Sequence, residues 1–157
     1  LPAGLLVVFG GVFDLFDGAL ARATNTVSKA GAFMDSVFDR WGEGIVYIGI
    51  AWGSVNAGWG EGAVLVAAAM TGAFMVSYTR AKAESLGFAP GTGMANVGLA
   101  PREVRIVILT LGLVLAGAMA TTTPLAVALG LIAVLAAITT VQRIVVTLKQ
   151  ARTQEPG

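Results

Sequence analysis

The feature of this chain that most restricts its fold is an uncharged stretch of 37 residues, 106–142, interrupted by the sequence TTTP. At about 20 residues per membrane crossing, this stretch is long enough for two transmembrane helices. A second uncharged stretch, residues 62–79, contains 18 residues. The whole chain is 56% hydrophobic and 12% charged, whereas soluble domains are roughly 25% charged. The sequence therefore predicts an integral membrane protein.

Apolar segments separated by Gly-, Asn-, Thr- and Pro-containing breaks predict an all-α, polytopic transmembrane helix bundle. The five expected spans are residues 1–23, 29–53, 60–86, 102–121 and 124–150. We expect a single domain over residues 1–157. The chain begins at Leu1 inside an apolar run, without the charged leader of a signal peptide, and we expect that a further segment precedes it.

The basic residues predict the orientation of the bundle. If the five spans alternate, nine of the ten Lys and Arg residues fall on one side, and Arg40 lies one to two turns into the second span from that side. The opposite connections, GSVNAGWGEG and ATTTPL, contain no Lys or Arg, so the positive-inside rule makes the basic side cytoplasmic. The net charge of +1 gives no indication of a nucleic-acid partner.

Four aspartates are the anomaly in this apolar chain. Asp14 and Asp17, and likewise Asp35 and Asp39, are spaced so that each pair shares one helix face. Ionised carboxylates at membrane depth cost at least a few kcal/mol each and repel one another, so cations must compensate them. Helix capping or ion pairs with Arg22 and Arg40 are alternatives for any single aspartate. For four together, divalent ions are the better explanation.

The chemistry of the available ligands narrows the kind of metal. The chain contains neither cysteine nor histidine, so oxygen atoms must supply the protein ligands. Oxygen ligands favour hard ions, and we expect Mg²⁺ or Mn²⁺.

The aspartates also belong to a longer pattern. The segment DLFDGALARATNTVSKAGAFMDSVFD resembles the signature of the CDP-alcohol phosphotransferase (CDP-alcohol phosphatidyltransferase) family, D-x2-D-G-x2-A-R-x8-G-x3-D-x3-D. All its fixed positions match, at Asp14, Asp17, Gly18, Ala21, Arg22, Gly31, Asp35 and Asp39.

The resemblance implies a membrane enzyme of six helices, usually a homodimer, in which the first helix would be missing from this chain. Such an enzyme moves a phosphatidyl-type group from CDP-diacylglycerol or CDP-archaeol to an alcohol and releases CMP. The resemblance assigns Asp39 as general base and as a ligand, with the other three aspartates, of a pair of metal ions. The CDP-binding residues it implies are Asp14, Asp17, Gly18, Ala21, Arg22, Gly31 and Asp35.

Two basic clusters outside the motif predict a phosphorylated acceptor. Arg80 and Lys82 lie in SYTRAKAE, and Arg102 and Arg105 lie in PREVR at the expected start of a helix. These segments are similar to SYxKARAE and ERPERLII of inositol-phosphate-using members, although the Arg and Lys order is reversed in the first. Topology and lipid contact are the alternative explanation for these cations. We therefore expect a phosphatidylinositol phosphate synthase or its archaeal ether-lipid counterpart.

Three other functions remain open at the level of sequence. Glycerol 3-phosphate as acceptor would make the product phosphatidylglycerol phosphate. A divalent-cation transporter would also place carboxylates on membrane helices, but it predicts acidic residues along the whole path, and beyond Glu103 the last two predicted spans contain none. A catalytically idle protein that keeps the metal for stability is the third.

Overall fold

The computed structural model of the protein describes residues 28–88, 93 and 97–154. This part of the chain folds into four α-helices and contains no strand. The helices are α1 (Lys29–Asn56), α2 (Gly60–Ser85), α3 (Arg102–Met119) and α4 (Thr123–Gln154). The all-α expectation is confirmed for these residues. The predicted span 1–23 lies outside them, so the count of five spans stays a prediction.

The observed ends of the helices lie close to the predicted ones. At the start of α1 the Ser28 side chain accepts a hydrogen bond from the backbone N–H of Gly31 at 2.9 Å, which satisfies a free N–H of the first turn. A left-handed residue, Ala120 with φ 49°, ends α3. The helices α1 and α4 continue past the predicted ends at residues 53 and 150, to Asn56 and Gln154.

The four helices form two hairpins that pack through α4. Helix α2 packs along α1 and along α4, and α3 also packs along α4. Small residues allow the close approaches: a Cβ at Gly112 would lie 2.4 Å from Ala128 Cβ, and one at Gly72 would lie 2.8 Å from Ala136 Cβ. The buried core between the helices consists of Tyr47, Val66, Ala69, Ala73, Leu109, Leu125, Leu129 and Ile132.

Two of the helices in the described part of the chain are long and apolar enough to cross a membrane, α2 and the segment 123–153 of α4. In each, 28% of the most apolar stretch is buried, whereas the core helix of a soluble protein is mostly buried. The other two helices carry charges in their N-terminal halves: Asp35, Asp39 and Arg40 in α1, and Arg102 and Arg105 in α3.

The close contact at Gly112 gives a prediction about stability. We expect Gly112→Ala to destabilise the fold by about 1–3 kcal/mol, because the added methyl group must push α3 away from Ala128. The measurement is thermal unfolding in detergent. Gly130→Ala is the matched control, since a Cβ there meets nothing within 4 Å, and alanine favours the helix by up to about 1 kcal/mol over glycine. Equal melting temperatures for the two variants would contradict the close packing.

Candidate active site

The described half of the aspartate motif lies on the first three turns of α1. Gly31 and Asp35 are exposed, and Asp39 is partly buried, with 17% of its side chain accessible. The three residues follow one another at intervals of four, so they occupy one face of the helix. The other motif residues, Asp14, Asp17, Gly18, Ala21 and Arg22, lie outside the described residues.

Asp39 contacts the beginning of α3. Its Oδ1 atom lies 2.9 Å from Nη2 of Arg102, and its Oδ2 atom lies 3.7 Å from Nη1 of Arg40. Arg102 is the first residue of α3, where free backbone N–H groups favour bound anions. The structure therefore brings together one residue expected in the metal and catalytic site and one expected at the acceptor phosphate.

A second ion pair lies one turn deeper between the same two helices. Arg105 donates from Nε to Glu43 Oε1 at 2.9 Å and from Nη2 to Oε2 at 2.8 Å. Its Nη1 donates to the carbonyl oxygen of Ala100 at 2.9 Å. The side chains of Arg105 and Glu43 are 1% and 5% exposed. Arg105 was expected at the acceptor phosphate, and contact with a phosphate would require this buried pair to open.

The residues just before α3 are attached to α4. Thr139 Oγ1 accepts hydrogen bonds from the N–H groups of Leu99 at 2.9 Å and Ala100 at 3.0 Å. Arg143 donates from Nε to the carbonyl of Val97 at 3.0 Å and from Nη1 to the carbonyl of Val76 in α2. These bonds fix the direction in which the chain enters α3, and hence the position of Arg102.

A glycine makes this attachment possible. Gly98 has φ +120°, a conformation that other L-residues rarely adopt, and a Cβ there would lie 2.1 Å from Thr139 Cγ2. The backbone at residue 98 therefore lies directly against α4.

The other predicted acceptor residues lie at the end of α2. Arg80 is exposed and donates from Nε to Glu84 Oε1 at 2.9 Å. Lys82 is exposed in the last turn of α2. Arg80 and Arg40 both line an open groove of about 670 Å³ between α1 and α2, together with the apolar side chains Phe33, Val37, Trp41 and Phe74. The groove thus connects the motif helix with one member of the first basic cluster.

The described residues include two of the four carboxylates expected to hold the metal. No group of three Asp, Glu, His or Cys side chains that could hold a metal ion occurs among residues 28–88, 93 and 97–154. Asp35 and Asp39 offer carboxylate oxygens one turn apart on α1, which is the donor type that Mg²⁺ and Mn²⁺ prefer. This donor set fits a hard divalent ion that takes its remaining ligands from elsewhere.

The sequence interpretation missed the role of two residues of α4. Arg143 was counted only as one of the basic-side residues, yet it is 4% exposed and contacts two backbone carbonyls. A charged residue following a long uncharged stretch is a usable signal, since buried ionisable residues in membrane segments need partners. Thr139 gave no such signal, because threonine is common in apolar helices.

Comparison with known proteins identifies the family of the chain. The sequence profile of CDP-alcohol phosphatidyltransferase matches residues 1–148. Archaetidylinositol phosphate synthase of Pyrococcus horikoshii is 39% identical over 107 residues, covering 68% of this chain and 52% of that protein. Phosphatidylinositol phosphate synthase of Mycobacteroides abscessus is 33% identical, covering 89% of this chain and 62% of that protein. The chain thus spans about half to three fifths of the length of these relatives.

The fold is also similar to a solved structure. The crystal structure of phosphatidylinositol phosphate synthase from Mycobacterium tuberculosis with CDP-DAG bound superposes with a TM-score of 0.79 at 27% identity, covering 92% of this chain and 71% of that one. A second structure of the same enzyme, in complex with manganese and citrate, gives a TM-score of 0.77 at 26% identity, covering 92% of this chain and 68% of that one. The expectation drawn from the aspartate motif is confirmed: the chain belongs to the CDP-alcohol phosphatidyltransferase family.

Proposed function

We propose that this protein transfers a phosphatidyl-type group from a CDP-activated lipid to inositol phosphate and releases CMP. The single observation that carries the proposal is the 2.9 Å contact between Asp39 and Arg102. Asp39 belongs to the family motif, and Arg102 is a cation outside the motif. An anionic group bound by Arg102 would lie next to the carboxylate that is proposed to activate the acceptor. A phosphorylated acceptor therefore suits this site better than a neutral one.

The names of the relatives support the same acceptor. Both curated relatives described above are inositol phosphate lipid synthases, and the structural relative is one as well. In this chain Arg102 and Arg80 are the accessible candidates for binding the phosphate, with Lys82 exposed on the same helix as Arg80. Glycerol 3-phosphate carries a similar phosphate group and is the alternative acceptor.

The proposed metal site combines Asp35 and Asp39 with Asp14 and Asp17 of the same motif. A pair of Mg²⁺ or Mn²⁺ ions there would neutralise the diphosphate of the donor and the developing charge on CMP. The manganese complex of the structural relative supports a divalent ion. Gly18, Ala21, Arg22 and Gly31 complete the proposed CDP-binding residues.

The reaction needs one base and no covalent enzyme intermediate. Asp39 accepts the proton of the acceptor hydroxyl while the oxygen of that hydroxyl forms a bond to the lipid-bearing phosphorus. The bond between that phosphorus and the oxygen bridging to CMP breaks, and CMP leaves with the electron pair. The partial burial of Asp39 beside α3 keeps its carboxylate directed toward the side where Arg102 lies.

The location of this chemistry is part of the proposal. The start of α1, the end of α2, the start of α3 and the end of α4 carry the basic residues, so the positive-inside rule places this end, and the site, at the cytoplasmic face of the cell membrane. In this arrangement α1 and α3 cross the membrane beside α2 and α4, and the segment 1–23 adds a fifth span. Homodimer formation stays a prediction of the family resemblance.

A transporter is a weaker alternative because the carboxylate of Glu43 is already paired. It lies below Asp39 on the same helix, where an ion path would need a free carboxylate, but both of its oxygens are bound by Arg105. Arg105 therefore neutralises the negative charge of Glu43 at that position.

The proposed function is tested with the purified full-length protein, CDP-diacylglycerol or CDP-archaeol, and a panel of acceptors. We expect CMP release with inositol phosphate, dependent on Mg²⁺ or Mn²⁺ and abolished by a chelator. Glycerol 3-phosphate, free inositol and serine are the comparison acceptors. CMP release with glycerol 3-phosphate but not with inositol phosphate would overturn the choice of acceptor. No CMP release with any acceptor, together with metal flux in proteoliposomes, would favour the transporter.

A further inference from the structure

The buried pair of Glu43 and Arg105 lies where the two halves of the site are joined. Helices α1 and α3 make few close backbone approaches, and each packs mainly on another helix, α1 on α2 and α3 on α4. Two ion pairs connect them directly: Asp39 with Arg102, and Glu43 with Arg105. Since the backbones of α1 and α3 approach each other at few places, side-chain contacts set their register, and these ion pairs are the polar contacts among them.

The deeper pair has the geometry of a fixed connection. Arg105 binds both oxygens of Glu43 through the Nε–Nη2 edge of its guanidinium group, and its Nη1 still reaches the carbonyl of Ala100. Ala100 in turn donates its N–H to Thr139. One side chain thereby links α1, the segment before α3, and, through that segment, α4. A planar guanidinium with fixed donor directions specifies orientation as well as charge.

We propose that Glu43 and Arg105 are positioning residues, which set the register of α1 against α3 and so hold Asp39 beside Arg102. The inference rests on the proposed function, because it concerns the distance between its base and its phosphate-binding arginine. It also changes the role expected for Arg105. With its donors committed inside the bundle at 1% exposure, Arg105 acts through Glu43 and Ala100, and Arg102 alone of this cluster meets the acceptor.

The test separates positioning from stability by removing one charge or both. Glu43→Met and Arg105→Met each leave one buried charge without its partner, whereas the double variant leaves none. We expect both single variants to lower the melting temperature in detergent and the double variant to recover most of it. The double variant should nevertheless keep a kcat/KM for inositol phosphate reduced by about tenfold to a hundredfold, because a small misplacement of reacting groups is costly.

A distance measurement gives a readout independent of activity. The chain has no cysteine, so spin labels can be attached to cysteines introduced at Ile48 in α1 and Leu111 in α3, both exposed. We expect the distance distribution between the labels to shift or broaden in both single variants and in the double variant. Arg105→Lys keeps the charge but cannot span both partners, so it should fold, broaden the distribution and lower kcat/KM. Glu61→Gln, exposed at the other end of the bundle, is the control.

Three outcomes would overturn the inference. An unchanged distance distribution in the double variant would show that the pair does not set the register. Recovery of both stability and kcat/KM in the double variant would reduce the pair to a structural role. A raised KM for inositol phosphate in the Arg105 variants alone, with Glu43→Met like the unchanged protein, would make Arg105 a direct ligand. If the unchanged protein has no activity, the proposed function fails, and the distance measurement still tests the register.

Discussion

Replacing Asp39 with asparagine is expected to lower turnover by about 10³-fold, within the range that general acid–base groups contribute. Asparagine has nearly the same shape as aspartate but cannot accept the proton of the acceptor hydroxyl. It also removes the charge that faces Arg102 at 2.9 Å. Because Asp39 is outside the proposed CDP-binding residues, we expect CDP-lipid binding to be largely retained.

The measurement is CMP release under single-turnover conditions, paired with CDP-lipid binding by the same preparation. Asp35→Asn, and likewise Asp14→Asn, should weaken nucleotide binding in addition to turnover, since these residues are proposed to bind both the metal and CDP. Glu61→Gln, far from the site on α2, should match the unchanged protein in both assays. Turnover of Asp39→Asn at the level of the control would refute the assignment of the base.

Replacing Arg102 with glutamine is expected to lower kcat/KM for inositol phosphate by about tenfold to a hundredfold. A hydrogen bond to a charged group contributes about 1.5–3 kcal/mol, and about 1.4 kcal/mol corresponds to a factor of ten. The apparent KM for the CDP-lipid should change little, because Arg102 is outside the proposed nucleotide-binding set. Arg102→Lys keeps the charge but loses the planar pair of donors, so its defect should be intermediate.

Steady-state kinetics with each substrate varied in turn distinguishes these effects. Lys149→Gln is the matched control, since Lys149 is an exposed cation on α4 toward the same end of the bundle. If Lys149→Gln reduced kcat/KM for inositol phosphate as strongly as Arg102→Gln, general electrostatic attraction of the acceptor would replace a specific contact as the explanation. An equal rise in KM for both substrates in Arg102→Gln would contradict the separation of the two sites.

Much of the fold was predictable because polar, Gly and Pro residues mark the ends of helices in an apolar chain. Four of the five expected spans correspond to observed helices within a few residues, with Ser28, Gly58 and the TTTP sequence at the boundaries. The way the helices pack was not predictable in the same way. A glycine such as Gly112 marks a close approach, whereas Gly130 in the neighbouring helix faces open space, and nothing in the local sequence distinguishes the two.

In the candidate site, too, the local arrangement was predictable from the sequence and the long-range contacts were not. The spacing of Asp35 and Asp39 is local, so one helix turn places them on the same face. The partners of Asp39 and Glu43 are Arg102 and Arg105, which are far away in sequence. Both arginines carry the same charge and lie one turn apart, so sequence alone could not assign one to a partly accessible contact and the other to the interior. The two arginines differ in burial, since Arg105 is buried and Arg102 is partly accessible.

The attachment of the segment before α3 has a consequence for how this part of the molecule opens. The N–H groups of Leu99 and Ala100 share Thr139 Oγ1 as their acceptor, so neither can exchange its hydrogen with solvent unless the segment detaches from α4. We expect their exchange rates to follow those of the helices rather than those of an ordinary connection. Insertions or deletions between α2 and α3 should accordingly be tolerated only upstream of Val97, since a change of length after it would move Arg102 relative to Asp39.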